Sequence, residues 1–143
     1  MTRSFRLTVP EPLERDIHEA VAQALDRLLL PPAFWFAMPV GHIQLSAAET
    51  ARLARIGLKR GLPDIFLIYR GLVFCLELKR KGGKLSKTRI GRTRSGSPRI
   101  LIGQEDRFVE LRAAGIGLAV AHSVEEALAQ VAHWGLPLRG RLI

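Results

Sequence analysis

The amino-acid sequence predicts an α/β protein with a mixed β-sheet of about four strands, flanked by helices. Three observations carry this prediction. The chain has 143 residues, which suffices for one domain with a single core. Hydrophobic residues make up 48% of it and charged residues 24%, which is typical of globular proteins. Helical and strand-like segments alternate along the sequence. We therefore treat residues 1–143 as a single domain.

Four segments carry helical periodicity or helix-start signals: residues of about 12–30, 46–57, 105–114 and 123–134. Pro31 ends the first helix, because proline disfavours the helical conformation in the residue before it. Ser46 with Glu49, and Ser123 with Glu126, have the spacing of a capping box, in which each residue satisfies a free N–H group of the other. These pairs therefore mark where the second and fourth helices begin.

Four apolar runs predict strands: residues of about 34–40, 65–68, 72–78 and 116–121. The second and third runs are separated only by Tyr69, Arg70 and Gly71, so we expect them to form an antiparallel hairpin. Cys75 lies inside the third run and is the only cysteine, which excludes an internal disulfide and a cysteine-based zinc site.

The net charge of +9 is concentrated in one stretch of the chain. Eight basic residues and no acidic residue lie between positions 80 and 99: Arg80, Lys81, Lys84, Lys87, Arg89, Arg92, Arg94 and Arg99. Such a local excess favours a polyanionic partner, most simply nucleic acid, although a solvated loop that only aids solubility has the same composition. The glycines of this stretch predict a mobile loop without regular structure, inserted at about residues 80–103.

Several familiar site patterns are missing from the sequence. There is no glycine-rich phosphate loop, no Gly-x-Ser-x-Gly elbow and no pair of histidines at metal-ligand spacing. The four histidines are scattered, and we expect surface or capping roles for them: His18, His42, His122 and His133. The longest apolar stretch, residues 28–40, is interrupted by prolines and predicts no membrane span, so we expect a cytoplasmic protein.

Glu77 and Lys79 are charged residues inside an otherwise apolar strand, a pattern that suggests a catalytic or metal-binding site. Strand alternation places Glu77 and Lys79 on one face, and the hairpin brings Asp64 almost opposite Glu77. Two carboxylates at this separation repel each other unless a cation lies between them, and oxygen ligands with open positions suit Mg²⁺ or Mn²⁺. We expect this cluster to face solvent. The alternative is an ordinary Glu–Lys pair on the wet face of an edge strand.

These residues resemble a known nuclease family. Pro63-Asp64 followed by Glu77-Leu78-Lys79 is similar to the PD-(D/E)xK nuclease signature. The surrounding blocks resemble the VRR-NUC (virus-type replication-repair nuclease) domain, in particular its small stand-alone phage and prophage members, over residues 13–138. Those blocks are Gly61-Leu62, Gly82-Gly83-Lys84-Leu85-Ser86, Gln104, Gly115 and Ser123-Val124-Glu125-Glu126. The resemblance implies a restriction-endonuclease-like core.

The resemblance also implies roles for individual residues. Asp64 and Glu77 would hold the metal ion, helped by the backbone carbonyl of Leu78. Lys79 would be the catalytic lysine. Gln104 would match the family's glutamine on the helix after the catalytic strands, near the lysine and the phosphate.

A glutamate on the first helix completes the family's pattern. Glu14 would match it as a ligand of a second metal ion or as a residue supporting the ligands. Glu11 and Glu19 compete for this assignment. The position of Glu14 at the edge of the apolar stripe favours it, whereas an acidic residue that stabilises the helix N-terminus would look the same.

The sequence departs from the family in two places. Val40 and His42 stand where the family usually has asparagine and glycine in a Pro-Asn-Gly-Gly turn. Residues 87–103, which contain much of the basic excess, intervene between the Leu85-Ser86 pair and Gln104, where the family usually has only a few residues.

The sequence and the resemblance together predict a Mg²⁺-dependent DNA endonuclease, with Mn²⁺ as a substitute ion. We expect it to select DNA structure, such as flaps, branches or junctions, in phage replication or repair, because phosphate contacts read charge and shape. A homodimer is a further expectation. Two alternatives remain: a nucleic-acid-binding module without chemistry, and a small α/β interaction domain whose basic loop binds an acidic protein.

Overall fold

Eleven elements follow one another along residues 10–140, the part of the chain that the computed structural model describes. In chain order they are α1 (Glu14–Leu28), β1 (Phe34–Ala37), a 3-10 helix (Pro39–His42), α2 (Ala47–Arg55), β2 (Ile65–Tyr69), β3 (Leu72–Leu78), β4 (Arg89–Arg92), β5 (Pro98–Leu101), α3 (Gln104–Ala113), β6 (Gly117–Ala121) and α4 (Val124–His133). Residues 1–9 and 141–143, which the sequence analysis assigned to the same domain, lie outside the described residues.

A mixed four-stranded sheet in the order β1-β2-β3-β6 forms the centre of the fold. β2 is antiparallel to its two neighbours, β1 and β3, and β6 pairs with β3 in parallel. β3 is therefore a central strand, which rules out the edge-strand alternative for Glu77. The α/β fold class, with a mixed four-stranded sheet flanked by helices, is confirmed.

One face of the sheet packs against α1 and α4. Apolar residues at helical spacing on α1 and α4, together with Leu136 after α4, meet alternate residues of β2, β3 and β6 in one cluster: Ile17, Val21, Leu25, Ile65, Leu67, Leu76, Leu78, Ala121, Ala127, Val131 and Leu136. Alternation along β2 and β3 turns Asp64, Cys75 and Glu77 toward the opposite face. The hydrophobic pattern that builds the core thus also decides where the two carboxylates point.

The predicted helix starts agree with the structure, with one difference. Ser46 accepts a hydrogen bond from Glu49 N–H, and the Glu49 side chain accepts one from Ser46 N–H, so the first capping box is complete. Ser123 accepts from Glu126 N–H, but the Glu126 carboxylate accepts from His122 N–H instead of Ser123. The first strand was predicted too long, because Pro39 begins the 3-10 helix.

The prediction of an irregular loop at residues 80–103 was wrong, because β4 and β5 pair there as an antiparallel hairpin. Gly96, with φ of 83°, sits in the turn, where a positive φ favours glycine. Thr93 N–H donates to Ser97 O at 2.9 Å and closes that turn. The glycines and charges that looked like a mobile loop are therefore the turn and the exposed strand positions of a small hairpin, which we call the basic hairpin (residues 89–101).

The base of the basic hairpin is fastened to the start of α3. Gly103 is buried here, and a Cβ on it would lie 2.6 Å from Ser86 O, so only glycine permits this approach. Gly103 N–H donates to Thr88 Oγ1 at 3.0 Å, and the Thr88 hydroxyl donates to the Asp106 carboxylate. The inserted segment therefore protrudes from the core as a hairpin, and the chain rejoins the core at Gln104.

No helix within residues 10–140 combines the length and the apolar character that crossing a membrane requires.

Candidate functional site

The two acidic residues of the motif lie side by side at one end of the sheet. Ile65 pairs with Leu76 in the antiparallel register, which sets Asp64 across from Glu77. Leu78 N–H donates to Asp64 Oδ2 at 2.8 Å and fixes this carboxylate against the end of β3. The hairpin register expected from the sequence is confirmed, and it brings Asp64, Glu77 and the backbone of Leu78 together.

Glu77 is buried, which differs from the solvent-facing cluster expected from the sequence. Only 2% of Glu77 is exposed, because Gln104 at the start of α3 covers the outer face of the sheet at this point. Its Oε1 contacts Gln104 and Lys79, whereas its Oε2 is buried without a hydrogen-bond partner among the residues that the structure describes. A buried carboxylate oxygen without a donor is costly, and a cation is one way to satisfy it.

Gln104 joins the site even though residues 87–103 separate it from Ser86 in sequence. Its Nε2 donates to Glu77 Oε1 at 2.6 Å, while its Oε1 accepts from Ser86 N–H at 3.1 Å. Gln104 N–H in turn donates to Ser86 Oγ at 3.0 Å. Both ends of the amide are therefore held, so Gln104 orients the Glu77 carboxylate.

Lys79 is the cation of the cluster. Its Nζ lies 3.2 Å from Glu77 Oε1 and 4.0 Å from Glu14 Oε1, and 11% of its side chain is exposed. Lys79 N–H bonds to Ala121 O at 3.0 Å, so the parallel pairing with β6 extends one residue past β3 and positions this lysine. The Glu14 carboxylate therefore joins the cluster through its ion pair with the Lys79 ammonium.

Burial changes the protonation behaviour of both carboxylates. Burial, with the Asp64 charge as the next contribution, raises the pKa of Glu77 to about 7, against the opposing attraction of Lys79. Burial also raises the pKa of Asp64, while the Leu78 N–H bond opposes that rise. Two carboxyl groups that are both costly to ionise form a place where a divalent cation would be stabilising.

Two histidines that the sequence analysis expected at surface or capping positions lie beside Asp64. His18 on α1 and His42 at the end of the 3-10 helix have their Nδ1 and Nε2 atoms 3.1 Å apart. One ligand atom each of His18, His42 and Asp64 lie within 4.8 Å of one another. Burial lowers the pKa of His18, which favours its neutral, ligating form. Glu14, one turn earlier on α1, is not part of this group.

A cleft of about 560 Å³ runs between α2, the 3-10 helix and the basic hairpin, and Asp64 and Gln104 help to line it. Five basic residues line it: Lys59, Arg60, Lys87, Arg89 and Arg99. Arg89 and Arg99 share one face of the basic hairpin, as its register requires. The other predicted nucleic-acid contacts are exposed but do not line the cleft: Arg80, Lys81, Lys84, Arg92 and Arg94.

Lys59 and Arg60 line the cleft but were not among the basic residues singled out from the sequence. They follow α2, outside the obvious basic stretch, and the fold brings them to the cleft.

Comparison of the chain with protein-family models, with curated proteins and with solved structures gives no match. Any function therefore has to be argued from the site itself.

Proposed function

We propose that the protein is a metal-dependent DNA endonuclease that hydrolyses phosphodiester bonds. The observation that carries the proposal is the buried Glu77 carboxylate, beside Asp64 and with its Oε1 3.2 Å from Lys79 Nζ, whose Oε2 has no partner among residues 10–140. A salt bridge that served stability alone would not need a second, half-buried carboxylate, that of Asp64, next to it. Two such carboxylates with a lysine suit phosphoryl-transfer chemistry.

The donor set fits Mg²⁺, with Mn²⁺ as a substitute. Asp64 and Glu77 would hold the ion through carboxylate oxygens, and the carbonyl of Leu78 at the end of β3 is the third ligand that the family resemblance implies. Oxygen donors with positions left open are what these hard cations take in enzymes that act on phosphates. When bound, the cation neutralises charge on the phosphate and activates water.

The other residues of the cluster have distinct parts in this proposal. Lys79, near the surface yet held by Glu77, orients the attacking water or stabilises charge on the phosphate. Gln104 keeps Glu77 in place through its 2.6 Å hydrogen bond. Glu14, 4.0 Å from the Lys79 ammonium, holds that side chain toward the site.

In this proposal, DNA binds along the cleft and the basic hairpin. Five basic side chains along one cleft are more positive charge than a small anion needs, and they suit an extended phosphate backbone. On the hairpin's outer face, Ile90 and Ile100 pair across the strands and are 76% and 69% exposed. Exposed apolar side chains among arginines suit the unstacked bases of flaps, branches and junctions.

The family resemblance agrees with this chemistry, so we also propose a VRR-NUC-like, restriction-endonuclease-like protein of phage replication or repair. DNA would be its partner in the cytoplasm of a bacterial or phage-infected cell. The homodimer expected from the sequence stays a prediction, which the molar mass in solution would test.

A cleavage panel tests the proposed function. Labelled single-stranded, duplex, flap and four-way-junction DNA are incubated with the full chain and Mg²⁺ or Mn²⁺, with a matched reaction in chelator and RNA versions of the same substrates. The proposal expects cation-dependent cuts, strongest on branched DNA. Tight, salt-sensitive binding without any cut would favour the non-catalytic binding module. No DNA binding at all would favour the protein-interaction domain.

A further inference from the structure

The two histidines next to Asp64 are unexplained by the proposed nuclease chemistry. His18 is buried on α1, whereas His42 is exposed on the 3-10 helix, and the two histidines are 24 positions apart in sequence. Without a ligand, the pair is held by one hydrogen bond, which needs a proton on only one of the two facing nitrogens. Their ring planes cross at 83°, so the contact is an edge-on approach with no stacking.

The spacing of the facing nitrogens matches neighbouring ligands on a metal ion. Zinc–nitrogen bonds of about 2.0–2.1 Å at angles of about 90–110° place two nitrogens about 2.8–3.4 Å apart. The distance here, 3.1 Å, lies inside that interval. Asp64 supplies a carboxylate oxygen, and the whole group spans no more than 4.8 Å. A small movement of exposed His42 and of the Asp64 side chain would close the group around one ion.

The ligand types also indicate which ion would bind. Imidazole nitrogens bind Zn²⁺, Co²⁺, Ni²⁺ and Mn²⁺, whereas Mg²⁺ prefers oxygen and retains its water. Two histidines and one carboxylate leave positions open, as catalytic rather than structural sites do. Glu77 is not a member of this group, so the position is separate from the one that Glu77 would hold, with Asp64 shared between the two.

We propose that His18 Nδ1, His42 Nε2 and Asp64 form a second cation position that takes a first-row transition-metal ion in preference to Mg²⁺. The assignment of this ion to DNA cleavage rests on the proposed function, whereas its binding does not. His42 stands where the resemblance expects glycine, so the same substitution that departs from the family pattern supplies a ligand here.

Cobalt binding tests the proposal without any DNA. The chelator-treated full chain is titrated with Co²⁺, followed by its visible absorption, and bound Co²⁺ is then challenged with Zn²⁺ or with millimolar Mg²⁺. We expect one Co²⁺ per chain, displaced by Zn²⁺ and retained in Mg²⁺. His42→Gln should weaken the affinity by at least about tenfold, while His133→Gln, at an exposed histidine elsewhere, should leave it unchanged.

A second variant separates this proposal from the proposed function. Glu77→Gln should keep Co²⁺ affinity within about threefold, since Glu77 is outside the group. The proposal is overturned if His42→Gln, melting as the wild type does, binds Co²⁺ equally well, or if Mg²⁺ displaces the ion. Histidine-dependent Co²⁺ binding without DNA cleavage would uphold this inference and refute the nuclease. Mg²⁺-dependent cleavage with no Co²⁺ binding would do the reverse.

Discussion

Replacing Glu77 by glutamine should stabilise the metal-free protein at alkaline pH. Gln is nearly isosteric with the carboxyl group, and its carbonyl oxygen can keep the hydrogen bonds from Gln104 and Lys79. Its amide nitrogen then takes the place of Oε2, the buried oxygen that has no partner within the described part of the chain. The change thus removes one buried charge and leaves the packing intact.

The size of the effect follows from the protonation of Glu77. Its pKa is raised from 4.5 to about 7, so between these values the folded state holds a proton that the unfolded state has lost. Stability contributed by that proton is present below pH 4.5 and is lost as the pH rises through about 7. At pH 8 the ionised carboxylate costs about 3 kcal/mol, which corresponds to about 6–12 °C in Tm.

Thermal melts of wild type and Glu77→Gln in chelator, from pH 4.5 to pH 8, measure this cost. We expect nearly equal Tm values at pH 4.5 and a difference of several degrees in favour of the variant at pH 8. The difference in Tm between the two proteins cancels the contribution of other titrating groups, such as His18, because both proteins contain them. Glu19→Gln, at an exposed position on α1, is the matched control and should show no such divergence. A constant difference across the pH range would refute the reasoning.

The remaining predictions concern catalysis and DNA binding. Lys79→Ala should reduce cleavage about 10²–10³-fold and change DNA affinity only slightly; equal losses in both would make this lysine a binding residue. Gln104→Ala should slow cleavage about 10–100-fold, because Glu77 loses its 2.6 Å hydrogen bond, and an unchanged rate would remove its positioning role. Arg89→Ser with Arg99→Ser should lower the slope of log affinity against log salt by about 2, and an unchanged slope would exclude both as phosphate contacts. Arg112→Ser, on the exposed surface of α3, is the control.

Local patterns were enough to predict the sheet and the central carboxylate pair. The turn of this hairpin is Arg70-Gly71, one residue shorter than the sequence suggested, because Tyr69 pairs with Leu72. A tight turn with period-two alternation leaves little freedom of register, because a slip by one residue would turn Ile65 and Leu76 out of the core. Asp64 and Glu77 are carried along by this register. The burial of Glu77 was missed because it depends on Gln104, which arrives from another part of the chain.

The remainder of the site depends on contacts between distant segments. The His18–His42 contact joins α1 to the 3-10 helix, and neither histidine has a local sequence signal that predicts the other. Similarly, the return of the chain to Gln104 depends on the close approach that Gly103 allows. The basic hairpin was missed because its glycines and charges hid a short strand pair with a glycine in its turn. Secondary-structure propensity reflects only the local preferences of a residue, whereas tertiary contacts decide how these segments of the site are arranged.

The most direct test of the nuclease is cleavage and binding of one flap DNA by wild type and Asp64→Asn, measured side by side. We expect wild type to cut the flap when Mg²⁺ or Mn²⁺ is added and to stop in chelator. Asp64→Asn should bind the same DNA in chelator with similar affinity and give no product with either ion. Cation-dependent cutting by Asp64→Asn at the wild-type rate would contradict the account.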